Sequence, residues 1–350
     1  MANNGIILKN SHVVHPFCGP SRVALLTGIY PHRIGAQYNL PNNITSTLGV
    51  PQNETYFSKV LQDSGYNTSA IGKWHLGFED GKYQPLDRGF DHFFGFLGGG
   101  KNYFESIYED SFYNRLGGSN PVTNEYQDPL QRNRSYVNRN EYSNATDEDY
   151  LTDVLTDNAI QYIKENKSKS DPFFMYLAYN APHVPLEAKE EDLKLFSHIK
   201  DKDRRTYAAM VYAVDRGMGN IVKALKETNQ YENTLIVFLS DNGGNTDKGA
   251  NNFPLKGRKG DAWEGGYRSP MFFHWPNKIG KGITFDYPVS ALDLYPTFVA
   301  LANAQVPKGK KLSGKNILNH VVNKTEPYKD EMIYCLRYRH GFADVGARKG

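Results

Sequence analysis

The chain has little cysteine, no long hydrophobic run and no strong excess of one charge. Its 350 residues include only Cys18 and Cys335, which form at most one disulfide and exclude a disulfide-held framework. No apolar run approaches the roughly 20 residues of a membrane-crossing helix, so the sequence predicts no membrane span. The net charge of +3 does not indicate a nucleic-acid partner but is compatible with an anionic ligand.

The N-terminus, MANNGIILKN, also lacks the long apolar segment of a secretory signal peptide. The chain nevertheless has an excess of Asn-x-Ser/Thr acceptor sites for N-glycosylation, which indicates a secretory route. We therefore expect the signal peptide and the true N-terminus to be absent from this chain. The seven acceptor residues are Asn43, Asn53, Asn67, Asn133, Asn144, Asn166 and Asn323.

Hydrophobic residues make up 39% of the chain and charged residues 23%, which is typical of a soluble folded protein. Aromatic residues reach 13%, largely because of 24 tyrosines. Tyrosine suits contacts with sugars or aryl groups, but it also fills ordinary cores and surfaces. Composition alone does not separate these two interpretations.

Strand patterns alternate with helix patterns along the chain. Apolar residues at helical spacing predict amphipathic helices over 55–65 and 201–228. Bulky apolar runs on both faces predict buried strands at 172–180 and 233–240. This alternation predicts an α/β fold with a mostly parallel sheet sandwiched by helices.

Polar segments follow several predicted strands at the point where each strand ends. These segments are CGPSR, GKWH, APH and DNGG. In open α/β sheets, ligands bind beyond the carboxyl ends of the strands. We therefore expect the four segments to meet at one rim of the sheet.

The first segment places Cys18 and Arg22 on one face of a predicted helix, because they are four residues apart. A guanidinium group there would lower the pKa of a thiol or steady an anionic adduct. A helix-terminal cysteine beside a solvated arginine is an equally good interpretation. A zinc site at His12, His15 and Cys18 is disfavoured, because strand residues three apart face opposite sides and no fourth ligand is evident.

Lys73 and His75 are two residues apart in an extended segment and therefore project to one side. An ammonium group and an imidazole placed together can hold an oxyanion and move a proton. His183 lies between prolines that stiffen its loop. Taken alone, each of these residues is more often a surface or packing residue.

Asp241 and Asn242 offer two hard oxygen donors on a glycine-rich turn, which suit Ca²⁺ or Mg²⁺ better than Zn²⁺. The downstream loop FPLKGRKGDAWEGGYR, which contains Lys259, is basic and flexible enough to hold a sulfate or phosphate ester. An ordinary turn and a solvated basic loop are the alternatives.

Together these motifs resemble the type I sulfatase family of the alkaline-phosphatase-like superfamily. The matching segments occur in family order across nearly the whole chain: CGPSRVALLTG, YPHRIG, GYNTSAIGKWHLG, RGFDHFFGFLGG, APHVP, DNGG and NNFPLKGRKGDAWEGGYR. The last segment is most similar to the arylsulfatase B group, the N-acetylgalactosamine-4-sulfatases.

The resemblance implies an alkaline-phosphatase-like α/β fold and a hydrolase of sulfuric esters, lysosomal or secreted. Its substrate would be a sulfated sugar or an aryl sulfate, and the resemblance favours the N-acetylgalactosamine 4-sulfate of a glycosaminoglycan. Residues 1–310 would form the catalytic domain. Residues 311–350 would begin a smaller C-terminal antiparallel sheet that is largely missing.

In this family a formylglycine-generating enzyme oxidises the motif cysteine to formylglycine, an aldehyde. One hydroxyl of the hydrated aldehyde attacks the sulfate ester, and the other then expels sulfate. The resemblance implies that Cys18 is this residue and also a Ca²⁺ ligand, and that Arg22 steadies it. Asp241 and Asn242 would bind the Ca²⁺, which neutralises sulfate charge.

By the same resemblance, Lys73 and Lys259 would hold the sulfate group. His75 would assist the aldehyde hydrate, and His183 would protonate the leaving alcohol. Family members begin with a strand followed by paired aspartates that complete the metal site, and no such segment precedes Gly5 here. We therefore expect weak Ca²⁺ binding, little activity from this chain, and an unpaired strand in the sheet.

Two alternatives to a sulfatase stay open. A phosphatase or phosphodiesterase of the same superfamily would normally use a serine or threonine nucleophile and two metal ions, so Cys18 disfavours it. An inactive truncated paralogue that binds sulfated glycans is favoured by the missing aspartates. That second alternative is disfavoured by the presence of every downstream motif.

Overall fold

The computed structural model describes residues 1–104, 128–137, 149–339 and 342–349. The acceptor site at Asn144 lies outside them. The α-helices are Cys18–Thr27 (α1), Phe57–Asp63 (α2), Leu151–Asn166 (α3), Glu190–Leu195 (α4), Lys202–Glu227 (α5), Glu264–Tyr267 (α6), Leu294–Leu301 (α7) and Leu318–Asn323 (α8). Among the described residues, no helix is both long and apolar enough to cross a bilayer.

The strands form two larger sheets, a small parallel pair and a hairpin. They are Ile6–Leu8 (β1), Ser11–His12 (β2), Asn67–Lys73 (β3), His92–Phe96 (β4), Gln131–Arg132 (β5), Ser135–Tyr136 (β6), Phe173–Ala178 (β7), Ile236–Leu239 (β8), Met271–His274 (β9), Ile283–Phe285 (β10), Val289–Ser290 (β11), Ile333–Arg339 (β12) and Phe342–Arg348 (β13).

The five-stranded sheet has the order β6-β5-β4-β3-β7, and the four-stranded sheet has the order β10-β1-β9-β8. β3 runs parallel to both β4 and β7. β9 is antiparallel to β1 and β8, and β5 is antiparallel to β4 and β6. The predicted α/β fold is confirmed, with parallel and antiparallel neighbours mixed in each sheet.

Helices cover both faces of the five-stranded sheet because alternate strand residues point to opposite sides. On one face, Ile71 and Phe94 pack in the same core as Leu155 of α3 and Met210 of α5. On the other face, Ala70 and Phe93 share a second core with α1, α2 and α7. The sheet is therefore held between helices, as the alternating sequence pattern predicted.

The helices predicted over 55–65 and 201–228 form as Phe57–Asp63 (α2) and Lys202–Glu227 (α5). Asp201 accepts a hydrogen bond from the backbone N–H of Arg204 and so caps the start of α5. Helix α1 ends at Gly28, whose φ of 68° is left-handed. A Cβ at this position would lie 2.8 Å from side-chain atoms of Tyr295 and Leu312, so glycine satisfies both the turn and the packing.

Strands β7 and β8 each have one hydrogen-bonded neighbour, and both line a cavity of about 1510 Å³. All four residues of β8 and five of the six in β7 are only partly buried, although nearly all are large and apolar. By contrast, six of the seven residues of the central strand β3 are buried. Within the described ranges no strand pairs with the outer edge of β7 or of β8.

The hairpin of β12 and β13 is antiparallel and lies at the C-terminal end of the chain. Ile333, Cys335 and Arg337 point inward and are buried, whereas Tyr334 and Tyr338 are exposed. The backbone N–H of Leu336 donates to the carbonyl of Val14 at 3.1 Å, which fixes β12 beside the segment that leads into α1. The domain boundary at residue 310 stays a prediction.

Candidate active site

The four polar segments that follow predicted strands converge on the N-terminus of α1. Cys18 is the first residue of this helix and is 3% exposed. Lys73 ends β3, His183 follows β7, and Asp241 follows β8. The electrostatic contacts described below join all of these side chains into one cluster.

Cys18 lies in a pocket that favours a negative charge. Burial alone would raise the pKa of its thiol, but Lys73, His75 and Lys259 together hold that pKa well below its usual value. The N-terminus of α1 adds a partial positive charge. An anionic atom at position 18 is therefore stabilised by three side chains and by the helix N-terminus. The protonated thiol also faces Oδ1 of Asn39, an acceptor that lies 3.9 Å from Sγ.

Arg22 joins the ends of three strands. Its Nε donates to Oδ2 of Asp241 at 3.0 Å, and its Nη1 donates to the Lys73 carbonyl at 2.7 Å and the Tyr176 hydroxyl at 3.2 Å. Burial alone would raise the pKa of Asp241, but Arg22 first, then Lys73 and Lys259, hold it far below its usual value. Arg22 thus steadies the walls of the pocket through Asp241.

Two lysines leave the pocket with an excess of positive charge. Lys73 is 3% exposed, and burial lowers its pKa to about 8. Lys259 is held near the turn after β8 because its backbone N–H donates to the carbonyl of Gly244 at 3.0 Å. With Arg22, these lysines supply three cationic groups against the single carboxylate of Asp241. The pocket therefore suits an anion such as a sulfate ester.

His75 adopts a backbone conformation that is uncommon for a residue with a side chain. Its φ is 64°, and such outliers concentrate at functional sites. The ring is packed so closely against Gly99 that a Cβ there would lie 2.8 Å from it. A hydrogen bond from His75 contributes to the low pKa of Cys18, and its Nδ1 is buried with no partner among the described residues. His75 is thus placed to hold a proton at position 18.

The ring of His183 lines the pocket, and in its neutral form it carries its hydrogen on Nδ1. Its Nδ1 lies 2.8 Å from the carbonyl of Val184, and because a carbonyl only accepts, Nδ1 carries the hydrogen. Burial first, then the charges of Lys73 and Lys259, lower the pKa of His183 well below its usual value. His183 is therefore neutral at neutral pH in these surroundings.

Asp241 and Asn242 were expected to bind Ca²⁺ together with residue 18. Oδ1 of Asn242 is buried without a hydrogen-bond partner among the described residues, which suits a cation ligand. However, the described part of the chain contains no group of three or more His, Cys, Asp or Glu side chains placed to hold a metal. Ca²⁺ needs about six to eight oxygens, so these residues do not by themselves fit a Ca²⁺ site.

His12 and His15 do not form a metal cluster with Cys18 in the described residues. Burial is the main cause that lowers the pKa of each imidazole to about 3. The ring of His12 packs against Tyr267, and the ring of His15 packs against Phe17. Both histidines are packing residues around the segment that leads into α1.

Sequence reasoning missed two residues of the pocket. Asn39 accepts a hydrogen bond from the backbone N–H of Gly19 at 2.9 Å and so fixes the start of α1. Tyr176 contributes the hydroxyl that binds Arg22. Asn39 lies in an irregular segment and Tyr176 within a buried-strand pattern, so neither carried a signal that separates it from its neighbours.

Fold and site together define a protein of the alkaline-phosphatase-like class, with a cysteine at a helix N-terminus surrounded by lysine and histidine. A family model described as Sulfatase matches residues 1–304. The chain therefore belongs to the sulfatase family, as the sequence motifs indicated. A particular likeness to the arylsulfatase B group stays a prediction.

Individual relatives agree with this assignment. The chain is 33% identical to the uncharacterized sulfatase YdeN of Escherichia coli, over 98% of the chain and 60% of that protein. It is 34% identical to arylsulfatase J of Mus musculus, over 91% of the chain and 50% of that protein. The chain thus spans about half to two thirds of the length of these relatives.

A solved structure has a higher sequence identity to this chain than these two relatives have. The crystal structure of Ps i-CgsB in complex with k-i-k-neocarrahexaose superposes with a TM-score of 0.94 at 50% sequence identity. The match covers 99% of this chain and 75% of that protein.

Proposed function

We propose that this chain forms the catalytic pocket of a sulfuric ester hydrolase whose nucleophile is formylglycine derived from Cys18. The observation that carries the proposal is the pocket around Cys18, where Lys73, His75 and Lys259 stabilise a negative charge. A formylglycine-generating enzyme would be the partner in maturation. Membership of the sulfatase family supports both parts.

The surroundings of Cys18 fit this modified residue. When present, formylglycine supplies a hydroxyl nucleophile and a second hydroxyl whose deprotonation allows sulfate to leave. His75, whose Nδ1 has no partner among the described residues, would hold or move the proton at position 18. Asn39 and the helix N-terminus would orient the side chain.

Lys73 and Lys259 would bind the sulfate oxygens. Both are close enough to Cys18 to lower the pKa of its thiol, so an ester bound between them lies beside residue 18. Asp241, held by Arg22, would keep the two ammonium groups in place. Charge-assisted hydrogen bonds of this kind are stronger than neutral ones and strengthen as negative charge develops.

His183 would protonate the leaving alcohol. For this role the neutral imidazole, which carries its hydrogen on Nδ1, has to gain a second proton at Nε2. The negative charge of a sulfate ester bound near Lys73 and Lys259 offsets the two charges that lower the pKa of His183. Substrate binding would thus prepare the general acid.

We propose a sulfated oligosaccharide as the substrate. The 50% identity to a protein solved with k-i-k-neocarrahexaose favours an oligosaccharide of that kind over the N-acetylgalactosamine 4-sulfate that the sequence motifs indicated. N-Acetylgalactosamine 4-sulfate and simple aryl sulfates are the further substrates to assay.

A secretory or lysosomal route is a further part of the proposal. The acceptor asparagines differ in how accessible they are for N-glycosylation. Asn53 and Asn323 are exposed and suit glycosylation. Asn166 is 3% exposed, and its side chain donates to the carbonyl of Tyr162, so this site is closed in the folded protein.

The proposed activity is tested by release of inorganic sulfate from 4-nitrophenyl sulfate and from neocarrahexaose after co-expression with a formylglycine-generating enzyme. We expect slow release that is lost in the Cys18→Ala variant. Faster turnover of phosphate esters that survives Cys18→Ser would indicate a phosphatase instead. Oligosaccharide binding without any Cys18-dependent release would indicate a glycan-binding paralogue.

We expect the rate with a sugar sulfate to rise as the pH falls, because only protonated His183 can donate to a poor leaving group. The midpoint in kcat/KM should lie below the ordinary histidine value of 6.5, and the midpoint in kcat should lie higher because bound sulfate favours the imidazolium. His183→Ala should slow sugar sulfates far more than 4-nitrophenyl sulfate, whose leaving group needs no proton. Equal loss on both substrates would contradict this role.

We expect Ca²⁺ to bind this chain only weakly, with a dissociation constant at or above the millimolar range. Asp241 and Asn242 supply only two side chains, and Asp241 is already paired with Arg22. Calorimetric titration with CaCl₂ measures the affinity. The Asn242→Ala substitution should abolish the weak Ca²⁺ binding of the wild type. Micromolar binding that survives this substitution would show that the cation lies elsewhere.

A further inference from the structure

Two pairs of tyrosines line the outward face of β12. Tyr38 and Tyr338 pack edge to face with ring centroids 6.3 Å apart, and Tyr30 and Tyr334 do the same at 6.5 Å. Tyr38 is 51% exposed, Tyr338 43% and Tyr334 40%. Exposed patches of large apolar rings are typical of binding surfaces. We call these four residues the tyrosine platform.

The chain neighbours of Tyr38 and Tyr338 contact the segment that carries Cys18. Tyr38 precedes Asn39, whose Oδ1 contacts the Cys18 thiol and the Gly19 N–H. Tyr338 follows Arg337, whose guanidinium lies 5.5 Å from the ring of Phe17, the residue before Cys18. Both members of the first pair are therefore one residue away from a side chain that contacts segment 17–19.

The second pair extends the surface away from the pocket. Tyr334 and Tyr338 are four residues apart on the same face of β12, which corresponds to about 13 Å along a strand. The backbone N–H of Tyr334 donates to the hydroxyl of Tyr30 at 3.1 Å, which fixes this pair. A platform of this length suits several linked rings better than a single small ester.

The chemistry of the platform matches a carbohydrate. The face of an aromatic ring is negative, so it attracts the weakly positive C–H groups on the face of a pyranose ring. Among the described residues, no group hydrogen-bonds the hydroxyls of Tyr38 and Tyr338, which leaves both for sugar hydroxyls. Tyrosine also loses little conformational entropy when it is covered.

We propose that the tyrosine platform binds the sugar rings of a sulfated oligosaccharide whose ester group occupies the pocket at Cys18. This inference rests on the proposed function and extends it from the ester to the chain that carries it. Tyr38 and Tyr338 contact the sugar next to the ester, and Tyr334 contacts a sugar farther along. The platform thereby selects oligosaccharides over small aryl sulfates.

The test measures binding of two probes, neocarrahexaose and inorganic sulfate, to the purified chain by calorimetry. We expect Tyr38→Ala and Tyr338→Ala each to weaken hexasaccharide binding about 3- to 10-fold, with sulfate binding unchanged within about twofold. Tyr38→Phe, which keeps the ring, should stay within about twofold of the wild type. Tyr38→Ala lies outside β12 and keeps the test valid if the substitution in the strand unfolds the hairpin.

Tyr287→Ala is the matched control. Tyr287 is 39% exposed and packs edge to face on Phe285, but it follows β10 and belongs to neither pair. It should leave both affinities unchanged. Hexasaccharide binding that is absent, or that is equally tight in wild type, Tyr38→Ala and Tyr338→Ala, would overturn the proposal. Failure of the wild type to bind sulfate would instead count against the proposed function.

Discussion

The double substitution Lys73→Met and Lys259→Met should weaken binding of inorganic sulfate at least about 100-fold. A hydrogen bond to a charged group contributes about 1.5–3 kcal/mol, and two such bonds are lost together. Lys73 is buried and its pKa is lowered to about 8, so methionine in its place should leave the fold at least as stable. Calorimetric titration with sodium sulfate near pH 7 gives the affinity directly.

A matched control for this variant is Lys9→Met with Lys59→Met, which changes the net charge equally. Those two side chains are 60% and 46% exposed, and each is paired with a surface carboxylate. The control should bind sulfate within about twofold of the wild type, apart from a small effect that salt removes. Equal weakening in both variants would mean that general charge, and not the pocket, attracts the anion.

The substitution Arg22→Met should lower the free energy of unfolding by about 3 kcal/mol. Removing one partner of a buried ion pair costs about 3–5 kcal/mol, and the 28% exposure of the Asp241 side chain places this pair at the lower end. The Lys73 carbonyl and the Tyr176 hydroxyl also lose a donor. Urea unfolding followed by circular dichroism measures the change.

Arg33→Met is the control for Arg22→Met, because Arg33 is exposed and its side chain makes one hydrogen bond within the described residues, to Ser313. Its effect should stay within about 0.5 kcal/mol. The double variant Arg22→Met with Asp241→Asn should recover part of the loss, since the uncompensated carboxylate is gone. A loss below about 0.5 kcal/mol in Arg22→Met would show that Arg22 does not hold the strand ends together.

Much of the fold followed from apolar periodicity. The spacing of apolar residues over 201–228 predicted a helix, and the structure has Lys202–Glu227. The buried runs at 172–180 and 233–240 predicted β7 and β8. The direction of β9 did not follow, because an apolar strand has the same pattern in parallel and antiparallel sheets.

The residues that form the pocket were predictable because polar residues after apolar strands meet at one edge of the sheet. The contacts that these residues make with one another were not predictable from the sequence. The sequence suggested that Arg22 acts directly on Cys18, whereas in the structure its hydrogen bonds go to Asp241, Lys73 and Tyr176. The contact of Asn39 with Cys18 joins residues 21 apart through an irregular segment, and no sequence period encodes such a contact.

The open edges of β7 and β8 reduce how firmly the pocket is held. Both strands line the same cavity and lead directly into the pocket, through His183 and Asp241. A pocket whose walls include two edge strands can still bind an anion through its lysines, but its geometry is less constrained than that of a closed sheet. We therefore regard sulfate binding as a more robust property of this chain than rapid turnover.

The central claim is that position 18 carries an aldehyde, and the mass of the peptide that contains it tests this most directly. The protein is co-expressed with a formylglycine-generating enzyme, digested, and the peptide is weighed by mass spectrometry. Conversion of the thiol lowers the mass by about 18 Da and makes the peptide react with hydrazides. An unchanged thiol in every preparation, from a host that modifies a known sulfatase, would contradict the catalytic account.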